Sequence, residues 1–189
     1  MTTATDQMSD DQLLDLIKSG NEAAFDEFYR RFEKKVYHFI RQKLNDQFEA
    51  YDVLHEVLME IWRKADRFEG RSKVSTWVFG IAFNKSIDRL RKRTPDQLDE
   101  EKHETVADDD GLNPMELLNA TEEATFLHKC VEALSDAQRA VVQLAFFEDM
   151  SYPEIADVIG RPEGTVKTRV FHAKQALKRC VEKFTGARS

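Results

Sequence analysis

Residues 151–174 read SYPEIADVIGRPEGTVKTRVFHAK, and this stretch decides the fold of the C-terminal part of the chain. The run Ser151–Glu154 has the capping-box pattern of a helix start, with a proline in the first turn where its missing N–H is harmless. Gly160 suits the positive φ of a tight turn, and Pro162 begins a second, longer helix. A short helix, a tight turn and a longer helix are typical of a helix-turn-helix, whose second helix fits the DNA major groove.

The second helix of this pair is amphipathic. Its apolar stripe consists of Val166, Val170, Ala173, Leu177 and Val181. The opposite face is polar and basic, and it carries Thr165, Thr168, Arg169 and His172, flanked by Lys167 and Lys174. Such side chains can contact base edges and phosphates, so this face is a candidate DNA-binding surface. An ordinary helical hairpin is the alternative, and it would not require the basic face.

Upstream of this region, apolar residues recur at the helical period in several stretches. Ser9 and Gln12 form a capping box ahead of a short helix that Gly20 ends, and Asn21 is placed to cap the next helix. We expect a fourth helix over Val74–Arg93. The core-facing residues predicted for the first three helices are Leu13, Leu14, Leu16, Ile17, Phe25, Phe28, Tyr29, Phe32, Val36, Phe39, Ile40, Ala50, Val53, Leu54, Val57, Leu58, Ile61, Trp62 and Ala65.

Length and composition bound the class of protein. The chain has 189 residues, 41% of them hydrophobic and 33% charged, which suits one mid-sized or two small globular domains. Seven glycines and four prolines are few, which favours helices over turn-rich β folds. No run of about 18 apolar residues is present and the first ten residues are polar, so we expect a soluble cytoplasmic protein. Cys130 and Cys180 form no CxxC pair, and we expect them to be reduced core residues rather than a disulfide.

The net charge of −7 is unevenly distributed. Residues 71–93 hold seven basic residues and one acidic residue, and residues 161–183 hold seven basic and two acidic residues. Between them, residues 95–123 hold eleven acidic residues and one lysine. Helix-breaking prolines and glycine interrupt this acidic block, so residues 94–120 are predicted to link a domain over 1–93 to one over 121–189. Two basic helical blocks favour two contacts with a polyanion.

Two further features distinguish the N-terminal domain from a plain helical bundle. The basic fourth helix also carries Trp77, Phe79 and Phe83, and aromatic rings beside cations suit single-stranded DNA. The third helix has an acidic outer face, which would meet either a basic partner or only water. The acidic residues of that face are Glu49, Asp52, Glu56 and Glu60.

In these motifs the chain resembles the extracytoplasmic-function (ECF, group 4) sigma factors of the sigma-70 family. The motifs that resemble sigma region 2 are EAYDVLHEV at 49–57, FEGRS at 68–72, TW at 76–77 and IAFN at 81–84. Those that resemble region 4 are EIA at 154–156 and GTVKTR at 164–169. The resemblance implies an all-α fold, with a region 2 bundle and a region 4 helix-turn-helix joined by a flexible acidic linker.

The resemblance also implies roles for matching residues in a factor that directs core RNA polymerase to promoters and melts DNA. The expected contacts with the β′ clamp are Glu49, Asp52, His55 and Glu56. The residues expected to bind and melt the −10 element are Phe68, Arg71, Ser72, Lys73, Thr76, Trp77, Asn84, Lys85, Arg89, Arg91, Lys92 and Arg93. The residues expected to bind the −35 element are Arg161, Thr165, Lys167, Thr168, Arg169, His172 and Lys174. The implied partners are the polymerase clamp and β flap, promoter DNA and an anti-sigma factor.

Two positions depart from the family pattern, because His55 stands where glutamine is usual and Ser135 where proline is usual. We expect Ser135 to cap the helix that follows it with its hydroxyl. The five histidines are scattered and no catalytic motif is visible, so we expect no enzyme activity, no cofactor and no metal. Two other functions stay open. A stand-alone helix-turn-helix regulator would bind DNA as a dimer, and a sigma-like decoy would bind regulators without DNA.

Overall fold

The computed structural model describes residues 7–44, 46–93 and 121–186, and the regular structure in these ranges is helical. The predicted linker and its flexibility lie outside the described residues. A short 3-10 helix, Ala65–Arg67, follows the third α-helix. The α-helices are α1 (Asp10–Lys18), α2 (Glu22–Leu44), α3 (Gln47–Lys64), α4 (Val74–Arg93), α5 (Thr121–Glu132), α6 (Asp136–Phe146), α7 (Tyr152–Ile159) and α8 (Glu163–Gly186). The all-α fold class is confirmed.

The helices divide into two compact units. One unit contains α1 to α4 together with Pro153–Arg161, and the other contains α5, α6 and α8. The segment Pro153–Arg161 therefore clusters with the N-terminal helices, whereas the sequence analysis placed it inside one continuous C-terminal region.

Aromatic and aliphatic side chains fill the core of the first unit. Helix α2 packs against α1, α3 and α4, and it buries Phe28 and Phe39 completely. The ring of Phe39 meets that of Phe79 of α4 edge to face, with centroids 5.2 Å apart. Such pairs contribute about 0.5–1.5 kcal/mol beyond the burial of their area. The helical period thus identified the faces that meet in this core.

Several residues predicted to face the core lie at its edge instead. Phe25 and Trp62 are partly exposed and pack against each other, with ring centroids 5.0 Å apart. Wide aromatic side chains can cover the rim of a small core while one side remains in water. The other predicted core residues that stay partly or fully exposed are Leu16, Tyr29, Leu177 and Val181.

The predicted helix ends are confirmed where the structure describes their hydrogen bonds. Ser9 and Ser135 each form a complete capping box, with Gln12 and Gln138 respectively. The backbone N–H of Ala24 donates to Oδ1 of Asn21 at 2.9 Å, which caps the start of α2. These bonds satisfy backbone N–H groups that have no partner within the helix, and each is worth about 1 kcal/mol.

A disulfide joins α5 to α8 in the second unit. Cys130 and Cys180 are bonded, with their Cα atoms 5.9 Å apart, so the expectation of two reduced core cysteines is wrong for this structure. The residues are 50 positions apart in the chain, and only the packing of α5 against α8 brings them together. Apolar contacts hold α8 to the rest of the unit at a cluster of Leu134, Val142 and Ala173.

Candidate nucleic-acid interface

The outer face of α3 is acidic and well exposed along one edge. The side chain of Asp52 is 72% exposed and that of Glu56 is 48% exposed, whereas Glu49 and Glu60 are about one quarter exposed. His55 is exposed beside them. The face therefore carries two carboxylates that a partner can reach directly and two that lie deeper.

This acidic face contacts the basic side of α4. Arg89 donates to Glu56 at 2.7 Å, and its other terminal nitrogen lies 3.9 Å from Asp52. Arg93 donates from Nε to Oε1 of Glu49 at 2.9 Å, and its Nη2 lies 2.7 Å from Oε2 as an ion contact. These pairs join α3 to α4.

Lys85 completes this row of ion pairs, which we call the α3–α4 ladder. Its ammonium lies 2.9 Å from Glu60 and 3.9 Å from Glu56. Lys64 also donates to Glu60 at 2.7 Å. The sequence alone predicts that the acidic face meets a partner or water and that these cations bind DNA. The structure pairs the two sets with each other.

The loop before α4 builds an aromatic corner. The Phe68 ring is 9% exposed and lies 5.4 Å from the partly exposed ring of Trp77, measured between centroids. The ammonium of Lys18 lies 5.9 Å from the centroid of the Phe68 ring. Phe68 is buried beside Trp77, so Trp77 is the ring of this pair that solvent and a base can reach.

Other residues expected to bind the −10 element differ in accessibility. Thr76 is only 3% exposed, so its side chain packs inside the unit and does not reach a ligand on the surface. Ser72 is partly exposed. Arg71 pairs with Glu69 at 2.9 Å, and Arg91 lies 3.8 Å from Asp88. The side chains of this set that are exposed are Arg71, Lys73, Asn84, Arg91, Lys92 and Arg93.

The outward face of α8 carries most of the residues expected to bind the −35 element. Lys167, Thr168, His172 and Lys174 are exposed, and Arg161 and Thr165 are partly exposed. Lys167 lies 2.8 Å from Glu163, and hydrogen bonding to that carboxylate raises the pKa of Lys167 above its ordinary value. The lysine is therefore fully charged at neutral pH.

Arg169 does not lie on that face. It is 9% exposed, and it follows the buried side of α8 rather than the side that solvent reaches. Its direct contact with DNA is therefore not supported by this geometry. The sequence pattern placed it with Thr165 and Thr168 because successive residues lie about 100° apart around a helix, which leaves a residue at the margin of a face ambiguous.

Exposed apolar residues form the feature that the sequence analysis missed. On α3, Phe48 is 74% exposed, Tyr51 55% and Met59 41%, beside the acidic row. In the second unit, Phe146, Phe147 and Phe171 are more than half exposed. In the sequence, these residues could have been recognised as large apolar side chains outside the buried stripe of their helix. Clusters of exposed aromatic residues mark interaction surfaces.

Both basic regions lie in segments that match known protein families. The family model for sigma-70 region 2 matches residues 28–95, and that for sigma-70 region 4 matches residues 127–177. The chain is 31% identical over 173 residues to the ECF RNA polymerase sigma factor SigW of Bacillus subtilis, covering 86% of this chain and 91% of SigW. The chain belongs to the ECF sigma factors. Regions 2 and 4 of sigma factors bind RNA polymerase and promoter DNA, and this sigma factor functions in transcription initiation.

Further similarities agree with this membership. The ECF sigma factor RpoE of Cereibacter sphaeroides is 33% identical over 159 residues, covering 84% of this chain and 86% of that protein. Among solved structures, CnrH in complex with the cytosolic domain of CnrY matches with a TM-score of 0.62 and 24% identity, covering 92% of this chain and 97% of CnrH. The RpoE sigma factor of Bartonella quintana matches with a TM-score of 0.59 and 24% identity, covering 82% and 97%. These two structures show the same fold.

Within the described ranges, no helix combines the length and the hydropathy that crossing a bilayer requires. In that part of the chain, no three His, Cys, Asp or Glu side chains converge as metal ligands would.

Proposed function

We propose that this sigma factor binds the polymerase and promoter DNA through three helix faces. The outer face of α3, with Glu49, Asp52, His55 and Glu56, binds the β′ clamp of core RNA polymerase. The exposed side of α4 and the preceding loop bind the melted −10 element, and the outward face of α8 binds the −35 duplex. The observation that carries this proposal is the exposure of an acidic face in region 2 and a polar, basic face in region 4 of one chain.

Region 2 has the groups needed to hold an unpaired strand. Trp77 offers a partly exposed ring next to Phe68, and stacking of a base on such a ring contributes about 1–3 kcal/mol. Arg91 and Lys92 are exposed cations on the same helix that can bind phosphates. Unstacking a base step costs a few kcal/mol, so one or two stacked bases offset the cost of melting.

Region 4 has the groups needed to read duplex DNA. Thr168 and His172 lie on the exposed face of α8 and offer hydrogen bonds to base edges. Lys167 and Lys174 offer charges to phosphates on either side. Arg169 is buried, and we assign it the role of supporting α8 rather than contacting a base.

The net charge of −7 opposes tight binding of free DNA. Core polymerase supplies most of the affinity, since two weak DNA contacts on one assembly gain from high effective concentration. The sigma factor supplies recognition, and the polymerase supplies the chemistry of RNA synthesis. We therefore propose no catalytic role for this chain, and we place it in the cytoplasm where the polymerase and promoter are.

We further propose that an anti-sigma factor controls this protein. The Bartonella quintana RpoE structure contains the anti-sigma factor NepR, and CnrH is bound to the cytosolic domain of CnrY. Phe48 and Tyr51 are exposed beside the acidic row of α3 and give such a regulator apolar surface to cover. A regulator bound there would also cover Asp52 and Glu56.

The first test is transcription by core RNA polymerase, with and without this protein, on a pool of randomised promoters. We expect protein-dependent transcripts that share a −35 and a −10 pattern. Association with core without transcription would indicate a decoy. DNA binding alone, with no association with core, would indicate a stand-alone regulator.

A charge reversal tests the assignment of the α3 face. We expect Asp52→Lys to reduce core binding at least tenfold, because it sets a cation against the basic partner that the acidic face attracts. Asp15→Lys is the matched control, because Asp15 is 71% exposed on α1 and lies outside the three proposed faces. Equal effects of the two changes would show that net charge, rather than this face, governs binding.

A further inference from the structure

The α3–α4 ladder joins two surfaces that the proposed function keeps separate. Its acidic side consists of Glu49, Asp52, Glu56 and Glu60, and three of these are proposed polymerase contacts. Its basic side consists of Lys85, Arg89 and Arg93, which the sequence motifs assign to the −10 element. Each basic residue lies within 3 Å of a carboxylate from α3.

Arg89 is the basic residue of the ladder that lies near two of the proposed polymerase-binding carboxylates. Its guanidinium contacts Glu56 at 2.7 Å and lies 3.9 Å from Asp52, and its side chain is only 23% exposed. A phosphate approaching Arg89 therefore meets two carboxylates that repel it. A cation of a partner approaching Glu56 meets a carboxylate that already has a positive partner. The ladder therefore weakens the binding of both ligands, the DNA phosphate and the cation of the partner.

The three cations do not have equal freedom to leave the ladder. Arg93 is held by both oxygens of Glu49 and also donates to the carbonyl of Leu44 at the end of α2, at 3.3 Å. That arrangement links three helices and suits a structural role. Arg89 and Lys85 contact carboxylates through single charges on flexible stems, and those carboxylates include the exposed Glu56.

We propose that the ladder couples polymerase binding to DNA binding by an exchange of ion pairs, with Arg89 as its central positioning residue. When polymerase cations bind Asp52 and Glu56, Arg89 loses its carboxylate partners and becomes available to a phosphate of the −10 strand. When a polymerase cation binds Glu56, Lys85 also loses a carboxylate contact and becomes available to DNA. By linkage, bound DNA strengthens polymerase binding by the same factor. This inference rests on the proposed function.

The test measures how DNA binding depends on salt, because each phosphate contact on single-stranded DNA contributes about 0.7 to the slope of log affinity against log salt. The probe is a fluorescent single-stranded 15-mer of random sequence for the free protein. For the complex with core polymerase it is a forked promoter taken from the transcription pool. Affinity for core is measured on each variant.

Arg89→Ala and Lys92→Ala form the decisive pair. In the free protein, we expect Arg89→Ala to leave the slope unchanged, because the carboxylates already occupy that guanidinium. In the complex with core, the same change should lower the slope by about 0.7. Lys92→Ala, which removes an exposed cation at the end of α4, should lower the slope in both states. If Arg89→Ala lowered the salt slope equally in the free protein and in the complex with core, the proposed exchange of ion pairs would be overturned.

Glu56→Gln tests the same exchange from the acidic side. In the free protein it should raise the affinity for the 15-mer about two- to fivefold, the range expected for one surface ion pair, and steepen the slope by about 0.7. Asp136→Asn adds the same net charge in the second unit, where Asp136 pairs with Arg139 and lies outside the ladder, so it should leave the slope unchanged. Equal effects of the two variants would refute the coupling. Failure of the wild-type protein to bind core would instead refute the proposed function.

Discussion

Helices α4 and α8 are both basic, yet they use their charges differently. On α4, Lys85, Arg89 and Arg93 pair with carboxylates of α3 that lie far away in the sequence. On α8, Lys167 pairs within its own helix with Glu163, and Lys174 lies over the ring of Phe146. The outward face of α8 thus keeps its cations near its surface, whereas α4 commits most of its cations to a neighbouring helix.

The two helices are also anchored by different means. Below its ion pairs, α4 buries Val78, Phe79 and Ala82 in the core of the first unit. Helix α8 is joined to α5 by a disulfide and to α6 through apolar contacts. The comparison shows that a similar net charge in two sequence blocks does not mean a similar surface. The different anchoring also predicts that some substitutions destabilise one of the two helices and leave the other unchanged.

The largest expected effect comes from removing the apolar contact beneath the ladder. Phe79→Ala deletes a fully buried ring that packs on Phe39, and we expect the free energy of unfolding to fall by about 3–5 kcal/mol. Chemical denaturation measures this change. A loss below about 1 kcal/mol would show that this ring contributes no more to stability than a surface ion pair.

Removing the disulfide should have the next largest effect. Under oxidising conditions, we expect Cys130→Ser to lower the stability of the second unit by about 2–4 kcal/mol, since the bond closes a loop of 50 residues. Denaturation followed by circular dichroism, with and without reductant, measures this effect. The wild-type protein in reductant should lose a similar amount of stability, whereas the variant should respond little. A first unit that melts earlier in reductant would contradict the separate anchoring of the two helices.

A smaller effect is expected at the turn that precedes α8. Gly160 has φ +63°, a conformation that costs other residues about 1–2 kcal/mol, so Gly160→Ala should destabilise the protein by about that amount. Gly164 is the matched control, because it lies in α8 with open space around it, and alanine there should be neutral or stabilising. Thermal melts of the two variants provide the measurement. Equal losses would show that the turn does not set the start of α8.

The smallest effect should come from one pair of the ladder. Partial burial raises the pKa of Glu60, but hydrogen bonds and charges from Lys64 and Lys85 lower it by more, so the pKa lies below its ordinary value. A carboxylate with a lowered pKa stabilises the fold above about pH 4.5, and this stability is lost as the pH falls further. Glu60→Gln should therefore lower stability at pH 7 by under about 1 kcal/mol.

Stability measured from pH 7 to pH 3 checks this prediction. The wild type and Glu60→Gln should converge at the acid end, because protonation removes the charge that the substitution removes. Asp15→Asn, on α1, changes another surface pair and provides the control. A difference for Glu60→Gln that is independent of pH would show that packing, rather than charge, accounts for the role of Glu60 in the ladder.

The sequence determined the local structure of this protein. The apolar period predicted the bounds of α4, and the capping residues Ser9, Asn21 and Ser135 marked helix starts that the structure shares. The motifs predicted the family. These features depend on residues within one or two helical turns of each other, and such short spacings are visible in a chain without knowledge of its packing.

The tertiary structure alone decided which charges and thiols meet. Arg89 and Glu56 are 33 positions apart, and Cys130 and Cys180 are 50 positions apart. Their contacts depend on how helices cross, and a helical period gives the face of each helix but not its partner. The burial of Arg169 is also a property of the folded chain, because the helical period alone left its side of α8 open. A residue at the margin of a face is assigned to water or to the core only when a second helix packs beside it.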